Sequence, residues 1–314
     1  MGMKPSSGLS ANLPTMRAPS GEQVELAFED QRAVLVEVGG GLRAYSTGGR
    51  PVLDGYAETE LCSSGRGQLL IPWPNRIADG RYEFDGRTWQ LPLDEPERRN
   101  AIHGLVRWAP WHVRERSADR AALEHLLHPQ PGYPYTLGLR VDYTLAGDGL
   151  TVRTEATNLG REPCPYGAGA HPYLAVGAER VDEVSLRVPA ERVLEADERG
   201  LPIGSHSVEG TGLDFRSARQ IGGARLDHCF TDLARDDDGR VRVALGGAAT
   251  LWADESYPYL MIFTGDGLPD VARRSLAVEP MTCAPNAFRS GEGLIRLEPG
   301  DSWAGLWGIS PPSG

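Results

Sequence analysis

Four stretches of the sequence carry a titratable or multidentate side chain on stiff or uncluttered backbone. "GAGAHPYL" (167–174) sets His171 behind four small residues and directly before Pro172. Proline drives the residue before it out of the helical region, so an extended His171 is expected. Small neighbours let other backbone or a ligand come close. "LAVEP" (276–280) repeats the pattern with a carboxylate: Glu279 ends an apolar run and Pro280 is expected to stop it. "NAIHGLVRW" (100–108) places His103 before Gly104, and "IPWPNR" (71–76) brackets Trp73 with prolines ahead of Asn75 and Arg76. Two imidazoles, a carboxylate and an Arg/Asn pair form an inventory for proton transfer on a bound polyol, with multidentate groups to hold its hydroxyls.

Other chemistries have no motif here. The chain contains no G-x-x-x-x-G-K-[ST], no complete G-x-G-x-x-G opening a helix, no G-x-S-x-G and no H-E-x-x-H. In "EHLLH" (124–128), His125 and His128 would share a face only on a helix. "AALEHLL" (121–127) suits a helix and a strand equally, and no third ligand lies nearby, so no metal is expected. The net charge of −11 argues against a nucleic-acid backbone or an anionic membrane as partner. Cys62, Cys164, Cys229 and Cys283 are far apart and form no C-x-x-C pair. That usage fits free thiols in a reducing, cytoplasmic compartment. Residues 1–20 read as a flexible tail without the apolar run of a signal peptide or membrane span.

The elements that must position these groups are strands. Leu139, Val141, Tyr143 and Leu145 alternate along one segment, and Leu150, Val152, Thr154 and Ala156 along the next. "AGDG" between them predicts an antiparallel hairpin. In "RYEFDGRTWQL" (81–91), a two-residue Asp85-Gly86 turn would set Phe84 opposite Arg87 and Tyr82 opposite Trp89. Further short strands are predicted over 23–29, 33–37, 42–46, 111–116, 184–188, 240–245, 259–263, 276–279 and 303–309. "ARDDDGR" (234–240) reads as a solvated hairpin tip. With no internal repeat or linker, the expectation is one all-β domain over residues 21–312, a large antiparallel β-sandwich.

Six stretches in series carry a resemblance. "PWPNRIADGRYEF", "NAIHGLVRW", "GYPYTLGLRVDYTL", "GAHPYL", "LDHCFTDL" and "AVEPMTCAPNAF" resemble the aldose 1-epimerase (galactose mutarotase) family, in order and at comparable spacing. The resemblance implies a large antiparallel β-sandwich that interconverts the α and β anomers of a free hexose without a cofactor. It implies Glu279 as general base, His171 as general acid and His103 as a second imidazole at the sugar. It gives Asn75, Arg76 and Asp227 as groups that hold hydroxyls; unaided, "ARLDHCF" reads only as a strand edge. Two positions depart from the family pattern: Met261 stands where many members carry glutamine, and Asn286 where many carry aspartate. Both bear on sugar preference rather than reaction type.

Anomer exchange needs a base for the C1 hydroxyl proton and an acid for the ring oxygen. Glutamate is ionised at neutral pH, whereas an ordinary histidine is only about a quarter protonated. The negative pair Glu279 and Asp227 is therefore expected to outweigh burial and keep His171 protonated. Trp73, Trp108 or Tyr173 would supply an apolar platform for the ring, and no metal is needed. Two further readings stand beside this one. A hexose 6-phosphate would want Arg76 joined by Arg107 and Arg81; a sugar sensor would bind without turnover. The expected partner is a small sugar, with monomer and dimer both open.

Overall fold

The computed structural model describes residues 17–269 and 271–312, so most of the expected tail, residues 1–16, lies outside the described residues. Ser20, assigned to that tail, is already part of the fold: it is buried, and its carbonyl accepts the Val38 N–H.

The strands named below pair as antiparallel ladders, several of them from alternating sequence. A nine-stranded sheet runs in the order His112–Arg116, Arg120–Leu127, Leu137–Ala146, Gly149–Asn158, Ser302–Ser310, Ala249–Ala253, Val241–Leu245, Ser185–Arg187, Arg219–Gln220. An eight-stranded sheet runs Pro202–Ser207, Ala190–Ala196, Asp227–Leu233, Tyr259–Phe263, Ser275–Met281, Gly169–Ala170, Leu69–Leu70, with Tyr173–Ala175 also pairing to Ser275–Met281. Both sheets feed one cluster of buried side chains, with Val141, Tyr143 and Trp307 from the first and Phe230, Leu260, Ile262 and Val278 from the second. Each such apolar side chain contributes about 1.5–3 kcal/mol by leaving water.

The segment that suits either helix or strand is a strand, Arg120–Leu127, paired along its length with Leu137–Ala146. The 81–91 hairpin has the expected register, Tyr82 opposite Trp89 and Phe84 opposite Arg87. Its turn places Asp85 at φ 50° and Gly86 at φ 72°, which matches the right-handed twist of the strands it joins.

Two expectations are corrected. Residues 234–240 are not a hairpin tip: they carry the chain from Asp227–Leu233 in one sheet to Val241–Leu245 in the other. Nor does Pro280 end its strand, which continues to Met281. Along a strand, N–H groups two residues apart point the same way. The Val278 N–H donates to the Pro172 carbonyl, so the missing donor at Pro280 falls where the neighbouring strand is interrupted, between Gly169–Ala170 and Tyr173–Ala175. The gap is occupied by His171 and Pro172, and it removes the usual objection to proline in a central strand.

The register of the eight-stranded sheet sorts its side chains. Cys229 pairs with Met261 and Met261 with Glu279; Asp227 pairs with Phe263 and Phe263 with Ala277. Directly paired residues share a face, as do residues two apart. Asp227, Cys229, Met261, Phe263 and Glu279 thus stand on the face opposite the core.

Candidate active site

Over that face lies a cavity of about 630 Å3, walled by the sheet and by loops carrying Gly65, Asn75, Arg76, His103, Arg107 and His171. Glu279 and His171 meet in it, with His171 Nε2 3.2 Å from Glu279 Oε1. Both side chains are almost completely buried, and Nδ1 of His171 and Oε2 of Glu279 have no hydrogen-bond partner. The backbone fixes His171 on both sides: its N–H donates to the Gln68 carbonyl and its carbonyl accepts the Gly67 N–H.

His103 is the third member, its ring centroid 5.4 Å from that of His171. It sits at φ 61° and locks reciprocally with Asn75, itself at φ 54°. The His103 N–H donates to the Asn75 carbonyl at 2.9 Å, and the Asn75 N–H donates to His103 Nδ1 at 3.2 Å. A neutral ring that accepts at Nδ1 carries its proton on Nε2. The nitrogen atoms of the two histidines and the Glu279 oxygen lie within 4.8 Å of one another, a spacing that would suit a metal. The Nε2 proton makes His103 a donor there instead of a ligand.

Arg76 lines the same cavity and forks onto Glu95, with both nitrogen–oxygen distances 2.9 Å. Room for its guanidinium depends on Gly200, where a Cβ would lie 2.7 Å from Arg76 Nη1. Gly65 does the same for His171: at φ 74°, its Cβ would sit 2.8 Å from the imidazole Cδ2. The small residues preceding His171 serve packing rather than a ligand, since a Cβ at Gly167 would meet Cys283 and one at Gly169 would meet Pro74.

Of the aromatic candidates, Trp73 is corrected. It is buried edge-on against Phe288, 5.6 Å between centroids, away from the cavity. Trp108 stands half exposed at the cavity mouth. Tyr173 lines the wall and stacks on His171 at 4.9 Å with planes 11° apart, its hydroxyl donating to the Ser64 carbonyl. Asn286 also lies off the cavity: its Oδ1 accepts the Ala78 N–H and its N–H donates to the Arg76 carbonyl, so it shapes the loop behind Arg76. Met261 does line the cavity, as does Asp227.

Electrostatics overturn the expected protonation. Burial is the largest influence on His171 and pulls it down to about 3, with Arg66 and Arg107 pushing the same way. Burial also raises Glu279 well above the ordinary carboxylate range, and Asp227 adds to this against the opposing pull of Arg76. His103 is lowered by burial and by His171, Arg107 and Arg76. Burial outweighs the carboxylates near His171, and two guanidiniums add to it: Arg66, not singled out in the sequence, and Arg107, expected there only for a phosphate. Arg66 is buried and lies over the Tyr173 ring, 4.5 Å from its centroid. Its setting between Gly65 and Gly67 was the available signal. Arg107 lies four residues after His103 in the same motif.

This arrangement brings two proton carriers into contact in the wall of one cavity. The sequence profile of the aldose 1-epimerase family matches residues 22–309. The uncharacterized protein YihR of Escherichia coli K12 is 38% identical over 285 residues, 90% of each chain. The aldose 1-epimerase of the same organism is 31% identical over 217 residues, 63% of this chain and 60% of that one. Among solved structures, the GalM/aldose epimerase homologue from C. elegans superimposes with a TM-score of 0.82 at 21% identity, covering 93% of this chain and 99% of that one. Galactose 1-epimerase from Lactobacillus acidophilus gives 0.78 at 20% identity, covering 93% and 95%. A profile matched across nearly the whole described chain, on the fold those structures share, makes this chain a member of the aldose 1-epimerase family.

Proposed function

We propose that the protein interconverts the α and β anomers of a free hexose such as glucose or galactose. The reading rests on one observation above the others: Glu279 and His171 face each other at 3.2 Å, buried, in one cavity. Opening moves the O1 proton to the Glu279 carboxylate and makes C1–O1 a carbonyl. The C1–O5 bond breaks with its electron pair going to O5, which takes a proton from His171. After rotation about C1–C2, O5 attacks the other face of the carbonyl, His171 recovers its proton and Glu279 returns its own to O1. Only protons and one C–O bond move, so the pair needs one exchangeable proton and ends as it began.

The altered proton affinities suit that cycle. Before opening, the shared proton crosses the 3.2 Å contact to His171; in the empty pair, with Glu279 raised and His171 lowered, it rests on the carboxyl and the imidazole is neutral. That is the state required opposite the open-chain aldehyde, so burial stabilises the enzyme form that meets the intermediate. Arg76, Asn75 and Asp227 are positioned to hold hydroxyls, and His103 to donate through Nε2.

The hexose 6-phosphate reading is weaker. The cavity brings together Arg76, Arg98, Arg107 and Arg225, four guanidiniums, against four carboxylates in Glu95, Glu97, Asp227 and Asp266, beside the protonated Glu279. Arg76 is already forked on Glu95, and Arg107 is paired with Asp94 through one contact of 2.6 Å. Arg81, the third expected member, is absent from the lining. A neutral sugar fits that balance better than a dianion.

Polarimetry on freshly dissolved α-glucose, α-galactose and glucose 6-phosphate tests the proposal, with acceleration expected for the free hexoses. Glu279→Gln is expected to abolish the rate while leaving sugar binding within about tenfold. An unchanged rate in that variant would remove Glu279 as base, and binding without turnover in the wild type would favour the sensor reading.

A further inference from the structure

Arg76 stands in the cavity wall inside a cradle built by three other residues. Its Nε and Nη2 donate to the two oxygens of Glu95, both at 2.9 Å. Nη1, the remaining nitrogen, has no hydrogen-bond partner among the described residues, yet it is not closed off from solvent. Glu95 is held in turn by Asn100. The two exchange backbone hydrogen bonds in both directions at 3.1 Å, and Asn100 Nδ2 donates to Glu95 Oε2 at 2.8 Å. Asn100 is completely buried, and its side chain also reaches a second loop: Nδ2 donates to the Arg199 carbonyl at 3.0 Å, and Oδ1 accepts from Arg199 Nη2 at 3.2 Å. Gly200 follows at φ 74°, and a Cβ there would lie 2.7 Å from Arg76 Nη1 and 3.0 Å from its Cζ. One asparagine thus ties the carboxylate on one edge of Arg76 to the glycine packed against its Nη1 end. Burial pushes Glu95 up, but hydrogen bonds from Arg76 and Asn100 bring it below the ordinary carboxylate range. The fork is therefore ionic at neutral pH, and two charge-assisted bonds fix the plane of the guanidinium.

We infer that Glu95 is a positioning residue for sugar binding: with Asn100 and Gly200 it occupies the Nε–Nη2 edge of Arg76 and leaves Nη1 as the donor to a sugar hydroxyl. This rests on the epimerase reading of the cavity. A free Arg76 would carry five donors on a flexible stem, and ordering it would cost affinity at each binding event. Held by Glu95, it offers the N–H groups of one nitrogen in a fixed direction. None of the three cradle residues bonds Glu279 or His171, whose contact is with each other. Loss of the cradle therefore falls on substrate binding rather than on proton transfer. Glu95 itself lines the cavity, so a direct contact with the sugar is the alternative to be separated.

Polarimetric kinetics on glucose test this with Glu95→Gln and Gly200→Ala, each in the wild type and in Arg76→Met. Glu95→Gln sets an amide against the donors of Arg76 and Asn100. It is expected to raise KM about tenfold and to leave kcat within about threefold. Gly200→Ala presses a Cβ onto Nη1 and is expected to do the same with the carboxylate untouched, so it carries the test alone if Glu95→Gln fails to fold. In Arg76→Met, Glu95 keeps Asn100 and has Arg98 at 4.0 Å, so the carboxylate is not stranded. Neither second substitution is expected to change kcat/KM there by more than about twofold, since both act through a side chain already removed. A further tenfold loss from Glu95→Gln in that background would mean that Glu95 meets the sugar directly or only supports the fold, and overturns the inference. So does an unchanged KM in both single variants, or a fall in kcat with KM unchanged. If the wild type does not accelerate mutarotation, the epimerase reading fails and calorimetric binding of glucose replaces KM. About tenfold weaker binding in Glu95→Gln then still supports the cradle, whereas equal affinity, or no binding by the wild type, overturns it as well.

Discussion

Burial sets the proton affinities of the two groups that meet in the cavity, and it carries them past one another. Ordinarily an imidazole holds a proton more tightly than a carboxylate; here Glu279 is raised and His171 is down to about 3. The profile of kcat/KM against pH is therefore expected to lack an acid limb at the ordinary histidine value. Activity should fall only near pH 3, where a second proton reaches His171, and again on the alkaline side as the pair loses its last proton from Glu279. Arg66→Met removes a positive charge stacked behind Tyr173. It should lift His171 and move the acid limb up by about one unit. Asp54 keeps Arg274 and Ser275 as partners, so that substitution strands no carboxylate. An acid limb near pH 6.5 in the wild type would contradict the assignment. Glu279 and His171 stood out in sequence because proline follows both, and the family resemblance supplied their roles as base and acid. The pair's protonation was not legible, because Arg66 and the depth of burial come from segments remote in the chain.

At the scale of elements, period-two alternation carried most of the fold. It located both strands of the 137–158 hairpin and, through Asp85-Gly86, the register of the 81–91 hairpin. It failed where its signal is absent. Arg120–Leu127 takes its conformation from the ladder with Leu137–Ala146, a partner that local pattern does not contain. Pro280 misled because the gap that tolerates it lies in another strand. Asp227 reads as an edge residue, and only pairing with Phe263 puts it beside the strand row of Glu279. The loop element that matters most to His171 is Gly65. Gly65→Ala would force a Cβ to within 2.8 Å of the imidazole at a backbone φ of 74°. We expect about 1 kcal/mol or more of lost stability and a roughly tenfold or greater loss of kcat as the ring is displaced. Gly177→Ala is the control: φ is 66° there, but the added Cβ meets nothing within 4 Å. Thermal unfolding should register both substitutions, and the rate only the first; equal rates would show that Gly65 does not set the imidazole's place.

For the whole molecule, the cavity is a cost to the sandwich that holds it. A group whose folded pKa is raised destabilises the fold as pH climbs from its unfolded to its folded value, because the unfolded chain ionises first. For Glu279 that window opens at the ordinary value of 4.5 and extends upward, with a penalty growing by about 1.4 kcal/mol per pH unit. His171 acts with the opposite sign. Lowered from 6.5 to about 3, it withdraws about 5 kcal/mol as pH falls through that interval, since the unfolded chain is protonated first. His103 is lowered too and adds to the loss. Stability is thus squeezed from both sides of a mildly acidic optimum. Glu279→Gln removes the alkaline penalty alone, replacing a carboxyl that burial keeps protonated by a neutral group of the same size. The variant that abolishes turnover should therefore unfold at a higher temperature than the wild type at pH 8, by about 2 °C for each kcal/mol relieved. At pH 4.5 the two should coincide. A difference in Tm that does not grow between those pH values would mean that Glu279 ionises in the folded protein as readily as in water, and the inverted proton affinities on which the acid–base cycle depends would fall with it.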